Sequence, residues 1–131
     1  VKTGAQIAVP EKDLQGRIID YAHVCGWKVA HFRPARTEKG WRTAVSADGA
    51  GFPDLLMTRK GRMFVAELKS QKAELTDNQL MWQSEMQEVQ GYARRFPLGG
   101  QTTTSDMVEP VRYFVWRPSD WDSGMIEEVL R

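Results

Sequence analysis

The sequence predicts an α/β fold: a mixed four-stranded sheet flanked by helices, in the order α-β-β-β-α-β-α. Three observations predict it. Apolar residues recur at helical spacing in two stretches, Leu14, Ile18, Tyr21, Ala22, Cys25 and later Trp82, Met86, Val89, Ala93. Short runs rich in β-branched and aromatic residues lie between and after them. A Lys60-Gly61 pair separates two of those runs, as in a tight antiparallel hairpin.

The first helix is expected from about Glu11 to Cys25, with Pro10 at a helix start that tolerates proline and Gly26 ending it. Trp27 to Phe32 reads as a strand with Trp27, Val29 and His31 on one side. Residues 33–51, with Pro34, Gly40, Gly49, Gly51 and many charges, read as mostly loop. Asp54–Thr58 and Arg62–Lys69 form the hairpin strands. A second helix starts near Thr76, whose Thr76-x-x-Gln79 spacing suits a capping box, and runs to Gly91 or Arg95. Residues 96–110, rich in Gly, Thr and Ser, read as loop. Arg112–Trp116 is the fourth strand, Pro118 stops it, and Met125–Leu130 is a closing helix.

At 131 residues the chain is expected to be one domain spanning 1–131, and 41% hydrophobic with 27% charged residues argues against disorder. No stretch matches a membrane span, and the first residues lack the apolar core of a secretory signal. Cys25 is the sole cysteine, so an intracellular, cytoplasmic protein is expected. One cysteine and two histidines supply a His/Cys metal site poorly, so any metal should be a hard cation held by carboxylates. Net charge is only +1, but Arg33, Arg36, Lys39 and Arg42 cluster beside Trp41. That segment reads as a phosphate contact or equally as a solvated basic loop. Among the five tryptophans, Trp116 and Trp121 are candidates for meeting a partner or a base, against a role as core anchors.

The chemistry concentrates on the hairpin. Alternation puts Met63, Val65, Glu67 and Lys69 on one face of the third strand. That strand end either emerges into solvent or belongs to a site. Asp54 opens the neighbouring strand, at nearly the same distance from the Lys60-Gly61 turn as Glu67. It reads as a turn aspartate or as the partner of Glu67. Two adjacent carboxylates repel unless a cation lies between them, and Mg²⁺ takes such ligands. Glu11 and Gln79 face inward from helix starts, or serve only as a first-turn acid and a cap.

Taken together, Gly51-Phe52-Pro53-Asp54-Leu55-Leu56, Ala66-Glu67-Leu68-Lys69-Ser70 and Gln79-x-x-Trp82 resemble the VRR-NUC branch of the PD-(D/E)XK nucleases. Glu11-x-x-Leu14-Gln15, Gly26-Trp27 and Val115-Trp116-Arg117-Pro118-Ser119-Asp120-Trp121 are similar to it too, so the resemblance spans about Glu11 to Leu130. The resemblance implies a restriction-endonuclease-like core. It implies Asp54, Glu67 and the Leu68 carbonyl as ligands of Mg²⁺, with Mn²⁺ substituting. Lys69 would be the catalytic lysine, with Glu11 and Gln79 completing the site. One departure is the segment from Tyr92 to Val111, longer than the connection this family usually has.

The function expected is a metal-dependent endonuclease acting on branched DNA, a Holliday junction or a flap, in replication, recombination or repair. Arg33, Arg36, Lys39 and Arg42 would grip the backbone. A junction resolvase needs two sites and hence a symmetric homodimer. The alternative is a catalytically silent DNA-binding or assembly module of the same fold.

Overall fold

The computed structural model describes residues 11–32, 34–37, 40–43, 46–95 and 109–131. Helix α1 spans Glu11–Val24, and strand β1 Lys28–His31. Strands β2 (Pro34–Thr37) and β3 (Gly40–Thr43) follow, then β4 (Leu55–Arg59) and β5 (Arg62–Leu68). Helix α2 covers Asp77–Arg95, strand β6 Val111–Trp116, and helices α3 (Pro118–Asp122) and α4 (Met125–Leu130) close the described part. The four-stranded sheet has the order β1-β4-β5-β6 and is mixed: β1, β4 and β5 pair antiparallel, while β6 runs parallel to β5. Helices flank this open sheet, as the sequence predicts. Among the described residues, no helix is long and apolar enough to cross a membrane.

Local chemistry sets the boundaries. α1 stops in a Schellman arrangement: Trp27 N–H donates to the Ala22 carbonyl at 2.9 Å and Gly26 N–H to that of His23 at 3.0 Å, with Gly26 at φ +88°. Lys60 and Gly61 both have positive φ, which a two-residue hairpin turn of matching twist demands. With so short a turn the β4–β5 register has no slack, and Leu55 pairs with Ala66.

One sheet face carries Leu55, Met57, Phe64, Ala66, Leu68 and Trp116, packed with Leu14, Ile18 and Ala22 of α1 and Ile126 and Leu130 of α4. Each such large side chain, fully buried, contributes about 1.5–3 kcal/mol. The other face meets α2 through β6. Gln90 Oε1 accepts from Tyr113 N–H at 2.9 Å and Met86 is buried.

Four expectations need correction. Among its described residues the 33–51 segment is not mostly loop: β2 and β3 form an antiparallel ribbon, with Arg36 opposite Trp41 and Ala35 opposite Arg42. Cross-strand hydrogen bonds satisfy its backbone without an apolar face, so its polar composition hid it. Pro118 does not merely stop β6; it starts α3 at the first helical position, where its missing N–H costs nothing. Val89 is 44% exposed. The α2 stripe steps four residues from Met86 and runs through Gln90. Trp116 is fully buried in the core and so a core anchor, while Trp121, partly buried, packs edge-on against Tyr21 at 6.3 Å.

Candidate metal and active site

The β4–β5 register extends by one pair to bring Asp54 opposite Glu67. Glu67 is only 2% exposed, the one buried charged or polar residue among those described. The strand end therefore does not emerge into solvent at Glu67. Asp54 Oδ2 accepts the Leu68 N–H at 2.7 Å. The N–H and C=O of one strand residue point to the same side, so the Leu68 carbonyl is directed toward the β4 side as well.

Burial pushes the Asp54 carboxyl above its ordinary value. The Leu68 N–H, the neighbouring Glu67 side chain, and the charges of His31 and Lys69 act against that rise. Two facing carboxyls can be reconciled by a shared proton. A divalent cation is the other way to reconcile them. Two opposed carboxylates and a backbone carbonyl form an all-oxygen donor set, which fits Mg²⁺ or Mn²⁺.

Gln79 ties α2 to this pair. Its Oε1 accepts from Thr76 N–H at 2.9 Å while Gln79 N–H donates to Thr76 Oγ1 at 3.2 Å, a complete capping box. The same Oε1 accepts from Lys69 Nζ at 3.0 Å, and Nε2 donates to Glu67 Oε1 at 2.8 Å. Capping and contact with the acidic pair, alternatives in the sequence, fall to one side chain. Asp54, Glu67, Lys69 and Gln79 thus converge.

Glu11 opens α1, but its side chain lies outside the described residues. Arg33 and Lys39 also lie outside them; Arg36 and Arg42 belong to β2 and β3, and their side chains are not described. Residues 96–108 are likewise outside. Among the described residues, no group of three or more His, Cys, Asp or Glu is placed to hold a metal; the acidic donors number two. No family model matches the sequence, and no curated protein matches it.

The sequence reading missed several neighbours of the site. Tyr113, on β6, has its hydroxyl pushed up to about 12 by burial first and then by the charges of Glu67 and Asp54. It stays a protonated phenol throughout the neutral range. His31 lies near Asp54, and Gln15 Nε2 reaches its Nδ1 at 3.3 Å. Arg117 Nη1 donates to the carbonyls of Ser70 and Ala73 at 2.6 and 2.7 Å, and Gln71 and Ser119 exchange two hydrogen bonds. These contacts fix the segment that leaves Lys69. The Arg117-Pro118-Ser119 run was the signal; nothing in it says which carbonyls it reaches.

Proposed function

We propose that the protein is a metal-dependent endonuclease with a restriction-endonuclease-like core, hydrolysing phosphodiester bonds of branched DNA such as a four-way junction or a flap. The observation that carries this reading is the opposed Asp54–Glu67 pair, with Lys69 joined to it through Gln79. Burying a carboxylate beside another costs stability unless something compensates it, and a chain under no functional demand has no reason to hold that arrangement.

Asp54, Glu67 and the Leu68 carbonyl would hold the cation. When bound, Mg²⁺ supplies positive charge to a phosphoryl oxygen and makes water more acidic. Gln79 Nε2 orients Glu67, and Gln79 Oε1 keeps the Lys69 ammonium beside the carboxylates. From there Lys69 neutralises charge that builds on the phosphate during attack. A junction resolvase cuts two strands symmetrically and so calls for two copies of the chain.

The test is cleavage of labelled four-way junction, flap, duplex and single-stranded DNA in Mg²⁺ and in Mn²⁺, with the oligomeric state measured alongside. The wild type should cut branched DNA, and Glu67→Ala should lose cleavage while keeping a cooperative thermal transition. Cleavage at the wild-type rate by Glu67→Ala would overturn the site. DNA binding without cutting in either metal would assign the chain to a silent binding module instead.

A further inference from the structure

Beside the acidic pair runs a row of three aromatic rings that the main core does not use. Phe32 meets Phe52 at 5.3 Å between centroids and 82°, and Phe52 meets Trp82 at 5.0 Å and 79°. None of the three belongs to the core cluster on the opposite sheet face. Phe32 N–H donates to the Asp54 carbonyl at 3.0 Å, continuing the β1–β4 ladder beyond His31↔Leu55. Antiparallel partners share a face, so Phe32 stands on the Asp54 side of the sheet. Trp82 follows Gln79 by one helical turn, on the same side of α2. The row therefore borders the carboxylates and Lys69.

It is also held in place. Trp82 Nε1 donates to the Asp48 carbonyl at 3.0 Å. Gly51, at φ +82°, lies so close to α2 that a Cβ there would meet Asn78 backbone at 2.6 Å, which seats the loop carrying Phe52 on the helix. At the open end of the row, Phe32 is 40% exposed.

We infer that this row is a stacking platform for an unpaired nucleobase of the strand being cut, next to the phosphate held by the acidic pair. The inference rests on the nuclease reading and narrows its substrate class. Every base has a π-face that an aromatic ring accepts, without regard to sequence. In an intact duplex those faces are stacked inside, and only base edges are presented in the grooves. Rings placed at the phosphate site thus serve a nucleotide that has left the duplex, as at a branch, a flap or a single strand.

The probes are a short single-stranded oligonucleotide and the matching duplex, each containing 2-aminopurine, titrated in Ca²⁺ with the probe checked on a gel for integrity. The wild type should bind the single strand and quench the 2-aminopurine. Phe32→Ala should weaken single-strand binding about tenfold and lose the quench, with duplex binding unchanged. Phe32→Trp should restore both, and thermal melting checks that each variant is folded. Equal affinity of wild type and Phe32→Ala for the single strand, or equal losses on single strand and duplex, would overturn the platform and leave the nuclease reading standing. Failure of the wild type to bind the single strand would overturn the platform, while the nuclease reading stands or falls with cleavage of branched DNA.

Discussion

At the turn end of β4 and β5, three arginines lie over aromatic rings: Arg59 over Trp27 at 4.5 Å, Arg62 over Phe64 and Arg112 over Phe114, each at 4.6 Å. At the other end of the same strands two carboxylates face each other. Both ends crowd like charges, but they treat them differently. Arg59 Nη1 donates to the carbonyls of Cys25 and Leu130 at 2.8 and 3.0 Å, so it caps the ends of α1 and α4 where partial negative charge accumulates. Arg62 is pulled below its ordinary pKa by burial and by Arg59 and Arg112, and two ring faces lie beneath it. Arg59 is compensated by carbonyls and a ring, Arg112 by a ring and Glu109, and Arg62 by rings alone, its buried Nε having no hydrogen-bond partner among the described residues. For the acids, the Leu68 N–H, the Gln79 amide and the charges of His31 and Lys69 do that work within the fold, and on the proposed reading a cation would add to it. On the proposed reading, one end serves stability and the other binding.

The sharpest way to break that comparison is at Lys69. If the acid end is a phosphoryl-transfer site, Lys69→Ala should lower single-turnover cleavage by about a hundred- to a thousandfold, the usual loss when one charge-stabilising donor is removed. Its melting temperature should move little, because Lys69 is half-buried and bonded only to Gln79 among the contacts described. A large loss of stability with intact cleavage would mean that the acid end is structural after all.

Arg59→Ala should do the reverse. It removes charged donors to two helix ends and a ring contact, costing about 2 kcal/mol and roughly 8 °C in thermal melting. Cleavage per folded molecule should stay within about twofold of the wild type. A variant that melts normally would show the turn end to be less compensated than its geometry indicates.

The acid end was more legible in the sequence than its surroundings. A two-residue turn fixes hairpin register, so counting from Lys60 and Gly61 suffices to set Asp54 opposite Glu67. Thr76 and Gln79 are equally readable, since a capping box is local; that the amide also bridges Lys69 and Glu67 depends on how α2 docks, which no local spacing encodes. Tyr113 comes from the parallel strand β6 across a long connection, and sequence separation hides such a pairing. Phe32, Phe52 and Trp82 went unread because each sits in a different element. The basic segment was legible as charge, while its β2–β3 ribbon was not, because Pro34 and Gly40 look the same at a strand end as in a loop.

The smallest expected effect tests the incomplete compensation of the acids most directly. The folded pKa of Asp54 lies above 3.8 because burial disfavours its charged form. Between 3.8 and that folded value the native state holds more proton than the unfolded chain. Stability from this group is therefore full below 3.8 and falls as pH rises through the folded pKa. Asp54→Asn keeps an acceptor for the Leu68 N–H and removes the charge. In EDTA it should match the wild type at acid pH and melt at a higher temperature than the wild type at neutral pH. Mg²⁺ should then raise the melting temperature of the wild type and not that of Asp54→Asn, since the cation neutralises a repulsion that the variant no longer has. If the variant gains nothing at neutral pH, Asp54 is already satisfied within the fold, and the two ends of the sheet do not differ in the way described.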